Sequence, residues 1–102
     1  MYRITVINKI KEKLQAMPPQ ATVILYGSEA RGDARADSDI DLLILVNREK
    51  MTEREKQEMI NPLFEMEYEM GVLINPIVIL KKDWGRIKTP FYENVMREGV
   101  VL

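Results

Sequence analysis

Asp39 and Asp41 stand two positions apart at the start of an apolar run, Ile40 to Val46. In an extended chain side chains at i and i+2 share a face, with Cα atoms about 6.5–7 Å apart. Two ionised carboxylates so close repel each other, and burying both is costly unless a cation lies between them. One or two magnesium ions chelated to a triphosphate meet that need, because oxygen donors select hard cations. Separated from Asp39 by ten residues, Gly27-Ser28 closes another apolar run, Ala21 to Tyr26. Glycine lets the backbone approach a ligand closely. A helical turn after it offers free amides to a phosphate, and the Ser28 hydroxyl adds a donor. If the two runs are antiparallel strands, the phosphate-binding turn and the carboxylates meet at one end of the sheet.

Neither half of this pattern is specific alone. A D-x-D usually marks a solvated strand end, and a glycine-serine turn is commoner still. Arg31, Asp33, Arg35 and Asp37 read equally well as a charged loop surface. The joint spacing carries the inference. Composition narrows it further. Without cysteine there are no disulfides or thiolate metal sites, and without histidine the usual general base and zinc ligand are missing. The 15 basic and 16 acidic residues nearly cancel. That is not the single-sign field that holds a nucleic-acid backbone, so nucleic acid is not an expected partner. The amino terminus lacks the unbroken apolar core of a signal peptide, and Leu42 to Val46 is far short of a membrane span. A soluble, cytoplasmic protein with no membrane partner is the expectation.

Around the loop the elements follow from periodicity and punctuation. Ile4, Ile7, Ile10, Leu14 and Met17 predict an amphipathic helix stopped by Pro18-Pro19. Ala21–Tyr26 and Ile40–Val46 are short, apolar and β-branched, which predicts buried strands. Residues 28–38 predict a loop with one helical turn. Thr52 and Glu55 fit a capping box opening a helix to about Met70 that buries Met59, Leu63, Phe64, Met66 and Met70 or a similar stripe, with Gly71 ending it. Val72 to Leu80 predicts a third strand, placed at an edge or kinked by Pro76. Thr89-Pro90 caps a last helix that buries Phe91, Val95 and Met96 and stops at Gly99. Trp84 reads as a partly buried loop anchor, and the methionines as core filler. The expected fold is α/β (α+β): one domain over residues 1–102, a small mixed three-stranded sheet with helices packed on it.

The string G-S-E-A-R-G, five residues, then S-D-I-D-L-L-I resembles the signature of the DNA polymerase β-type nucleotidyltransferase superfamily, above all its minimal members from bacteria and archaea. Signature similarity spans Tyr26 to Val46. The resemblance implies a nucleotidyltransferase-like fold. It implies that Gly27 forms the phosphate-binding turn, that Ser28 binds the triphosphate and that Asp39 and Asp41 coordinate Mg2+. It also implies transfer of an NMP from an NTP, with ATP the expected donor and pyrophosphate released. Arg31 and Gly32 match as well, Arg31 either as a nucleotide ligand or as a brace for the loop.

Active members of that superfamily usually carry a third carboxylate on the strand after the intervening helix. Here that strand reads V-L-I-N-P-I-V-I-L, and its one polar side chain is Asn75. Asparagine cannot accept a proton as a general base. Three readings stay open. Asn75 occupies the third position and transfer is slow or absent; Glu67, Glu69 or Asp83 supplies the carboxylate; or the acceptor or a partner completes the site. Two functions follow. The first is an enzyme that places AMP or another NMP on a protein or small acceptor. The resemblance adds a setting for it, as the antitoxin beside an all-helical HEPN-type toxin. The second is a catalytically weak module that binds nucleotide or partner, and a homodimer fits either.

Overall fold

The apolar runs of the sequence become adjacent strands in the computed structural model, which describes residues 2–35 and 37–102. Met1 and Ala36, the latter within the expected 28–38 loop, lie outside the described residues. Along the chain come α1 (Tyr2–Ala16), β1 (Ala21–Tyr26), α2 (Ser28–Arg31), β2 (Ile40–Val46), α3 (Glu53–Met70), β3 (Ile74–Leu80), α4 (Pro90–Glu98) and β4 (Val100–Val101). The strands form one sheet in the order β3-β2-β1-β4. β1 runs antiparallel to β2 and β4, while β2 and β3 are parallel. The sheet is therefore mixed, as expected, with four strands where three were expected. β4 is two valines directly after Gly99, too short to carry any alternation.

The sheet's two faces are covered unequally, and this positions the site. On one face Val23 and Leu25 of β1, with Ile40, Leu42, Ile44 and Val46 of β2, pack against Val6, Ile10 and Leu14 of α1 and Met59, Leu63 and Met66 of α3. Fully burying each such side chain stabilises the fold by about 1.5–3 kcal/mol. The other face carries a smaller cluster, in which Ile24, Leu43, Leu45 and Val95 pack with Tyr26, Ile79, Trp84 and Phe91. β2 is thus apolar on both faces from Leu42 to Val46. β3 is an edge strand, which suits Pro76, since a proline has no amide to give to a ladder.

Local signals held where they rest on single hydrogen bonds. Thr52 Oγ1 accepts from the Glu55 amide at 3.1 Å and Glu55 Oε1 from the Thr52 amide at 2.9 Å, a complete capping box. Gly71 closes α3 in the left-handed region at φ 68°, and Thr89 caps α4 through the Tyr92 amide. Helix faces are where periodicity misjudged. Phe64 is 41% exposed, Met96 57% and Ile4 55%, although all three were expected inside. Each successive residue turns a helix by about 100°. Phe64 and Met96 sit one position past the inward-facing Leu63 and Val95. Ile4 lies about 120° around the helix from Ile10, the middle of the Val6–Ile10–Leu14 stripe.

Candidate active site

The antiparallel register of β1 and β2 sets Tyr26 opposite Asp41, so the turn leaving β1 abuts the residues entering β2. Gly27 sits at φ 74°, ψ −153°, a region that L side chains avoid. A Cβ added there would lie 2.5 Å from Asp41 Oδ2. Glycine is therefore required twice over, by the backbone and by the carboxylate pressed against it. α2 follows at once: the Arg31 amide donates to the Gly27 carbonyl at 3.1 Å, and Gly32, at φ 83°, closes the turn. The leading amides of any helix lack an intrahelical acceptor, and here that turn stands beside Asp41.

The parallel register of β2 and β3 places Asn75 opposite Asp41. Asn75 Nδ2 donates to Asp39 Oδ2 at 2.9 Å and to Asp41 Oδ1 at 3.1 Å. One amide group thus bridges both carboxylates, in the place a cation between them would take. A half-turn of the amide would present Oδ1 instead, giving an all-oxygen donor set suited to a hard divalent ion. Among the described residues no group of three His, Cys, Asp or Glu side chains could hold a metal. Two carboxylates and an amide leave half of an octahedral shell to water or phosphate oxygens.

Of the other candidates for a third carboxylate, none reaches this cluster by any described bond. Glu67 Oε1 accepts the Ile74 amide at 2.9 Å, pinning the end of α3 to the start of β3. Glu69 lines a groove between α1 and α3. Asp83 lies past the far end of β3 and pairs with Arg86 at 3.2 Å. Of the candidates, Asn75 is the one whose described bonds reach both Asp39 and Asp41. The Arg31 guanidinium meets Asp33 at 3.2 Å and Glu98 at 3.3 Å. Those carboxylates, Asp33 first, push its pKa above the ordinary arginine value.

Sequence reasoning missed the aromatic wall beside the site. Tyr26 and Phe91 meet edge-on at 5.4 Å, and Phe91 meets Trp84 at 5.9 Å. Trp84, the expected anchor, is half-buried and also stacks at a tilt on Tyr92 at 4.9 Å. Burial, and then the Asp41 charge, push the Tyr26 hydroxyl above its ordinary pKa, so it stays a neutral donor next to the carboxylates. No helix among the described residues is long and apolar enough to cross a membrane.

A family described as nucleotidyltransferase domain matches residues 7–101. Two relatives in Methanocaldococcus jannaschii, both named as a putative protein adenylyltransferase, are similar in sequence. One is 44% identical over 76% of this chain and 74% of its own length. The other is 33% identical over 94% of this chain and 89% of its own. Among solved structures, a toxin–antitoxin crystal structure with AMP-PNP superposes with a TM-score of 0.66 over 92% of this chain and 69% of that one. At 19% identity that likeness establishes a shared fold.

Proposed function

Because the chain belongs to the nucleotidyltransferase domain family, and is by that a nucleotidyltransferase, we propose that it moves AMP from Mg-ATP to a hydroxyl of a protein acceptor. The observation that carries this is the contact of the Gly27 turn with Asp41, while Asp39, Asp41 and Asn75 converge on one point. Residues 1–102 act as one domain in this reading. Asp39 and Asp41 would hold magnesium, which would supply charge neutralisation there. The Gly27-Ser28 turn takes the triphosphate through amides and the Ser28 hydroxyl. The acceptor oxygen forms a bond to the α-phosphorus as the bond to the β-phosphate oxygen breaks. Pyrophosphate leaves with the electron pair, and the acceptor proton passes to solvent.

Protein as acceptor is supported by the names of the two archaeal relatives. The toxin–antitoxin neighbour, with its AMP-PNP, supports a nucleotide donor and a protein partner of toxin type. An all-helical HEPN-type toxin encoded beside this chain is the partner we favour. A second reading, a binding module that transfers slowly, is favoured by one observation: Asn75 is an amide where a base would sit.

The two separate in one experiment. The purified protein is mixed with Mg2+, each NTP in turn and the product of the adjacent reading frame, and the partner is weighed by mass spectrometry. An added AMP, abolished by Asp39→Asn with Asp41→Asn, establishes transfer. Tight partner binding with no adduct, unaltered by those substitutions, would sink it in favour of the module.

A further inference from the structure

Arg31 belongs to α2, a single turn of four residues. So short a helix cannot hold itself and depends on what it touches. Ala30 packs against the main core. Arg31 reaches across the chain: its NH1 donates to Glu98 Oε1 at 3.3 Å and Oε2 at 3.5 Å. Glu98 ends α4, and its side chain is only 20% exposed. An acid in the last turn faces the negative end of the helix dipole and is disfavoured there without a partner.

The end of α4 is itself fixed. At Gly99 an added Cβ would lie 2.5 Å from the Val95 carbonyl oxygen and 2.7 Å from Ile24 Cγ2, so the chain is pressed onto β1. Val100 and Val101 then pair with Leu25 and Ile24. Glu98 is thereby anchored to the strand that leads into Gly27, and Arg31 is anchored to Glu98.

We infer that Glu98 is a positioning residue for the nucleotide turn: through Arg31 it holds α2 in the pose that keeps Gly27-Ser28 against Asp41, and so sets the affinity for Mg-ATP. The inference rests on the nucleotide reading above for its ligand, and on the ion pair alone for its mechanics. On this inference Arg31 serves as a strut and not as a nucleotide ligand.

The test compares Glu98→Ala, Glu98→Gln, Arg31→Ala and the Arg31→Ala/Glu98→Ala double variant by two measurements. One is amide hydrogen exchange in the free protein; the other is the Kd for Mg-ATP by calorimetry. Glu98→Ala is expected to speed exchange at residues 28–32 while β2 amides stay as protected as in the parent. It is also expected to weaken Mg-ATP binding about two- to fivefold, the range an exposed ion pair can supply. Glu98→Gln, which keeps an acceptor oxygen, should fall between, and the double variant should match Arg31→Ala. Unchanged exchange at 28–32 overturns the strut. Tighter Mg-ATP binding by Glu98→Ala also overturns it, because that would show Arg31 freed to act as a phosphate ligand. If the parent does not bind Mg-ATP at all, the nucleotide reading fails, and the exchange data still decide the strut.

Discussion

Asn75→Asp would install the missing carboxylate, and its cost can be worked from the structure. Asn75 Nδ2 lies 2.9 and 3.1 Å from oxygens of Asp39 and Asp41. The substitution removes both hydrogen bonds and sets a third negative charge beside two others. At about 4 Å each repulsive pair costs about 1 kcal/mol in water and about 4 kcal/mol at an effective dielectric of 20. Asn75 is exposed while Asp39 and Asp41 are half-buried, which favours the lower end. A loss of about 2–4 kcal/mol is expected at pH 8, low salt and excess chelator. For a domain of this size that is a fall of about 10–20 °C in Tm. Mg2+ with ATP should return more stability to the variant than to the parent, because three carboxylates hold a cation better than two. Transfer should rise by about a hundredfold or more, the contribution of a well-placed base. The assay is thermal unfolding with and without Mg-ATP, paired with single-turnover transfer to the partner. A variant that melts within about 2 °C of the parent in chelator, with no extra gain from Mg-ATP, would refute the convergence of the three side chains. A more stable but slower variant would refute Asn75 as the third position.

Two other perturbations probe the frame of the site. Gly27→Ala imposes a side chain at φ 74° and against Asp41 Oδ2; a loss of about 1–3 kcal/mol in stability is expected from the backbone, with Mg-ATP binding lost by calorimetry, and retained affinity would count against the turn as the phosphate site. Glu55 is held below the ordinary carboxylate pKa by the Thr52 amide first, then by Arg48 and the Thr52 hydroxyl. A lowered pKa in the folded state means that its contribution is full above the usual carboxylate range and is lost as pH falls through it. Glu55→Gln should therefore lower Tm at pH 7, with the gap to the parent closing under acid; a gap that persists at about pH 3 would contradict this origin.

The strands were readable because burial on both faces leaves an unbroken apolar run, and β2 has one from Leu42 to Val46. The capping box and Gly71 were readable because each depends on residues close together in the chain. What failed was orientation. Phe64 and Met96 differ from Leu63 and Val95 by one position, and only the packing partner decides which of two neighbouring apolar residues faces inward. β4 exists because Gly99 seats the chain on Ile24. That contact joins residues 75 positions apart and leaves no local pattern.

The site divides along the same line. Gly27, Ser28, Asp39 and Asp41 could be picked out because strand ends bring them together through a short loop, and side-chain period puts Asp39 and Asp41 on one face. Asn75 could be placed by its strand, but its bridging of both carboxylates depends on the parallel β2–β3 register, which no residue type announces. Arg31 illustrates the limit best. Its motif position is equally suited to a phosphate ligand and to a strut. The residue that its guanidinium reaches across the fold is Glu98, 67 positions away. One sign of it was present in the sequence: Glu98 is an acid at the end of a helix, where the dipole opposes it and Arg97 alone would be favoured. A residue that local physics disfavours is one whose partner is elsewhere in the fold, and here the partner, Arg31, lies in the turn that follows Gly27.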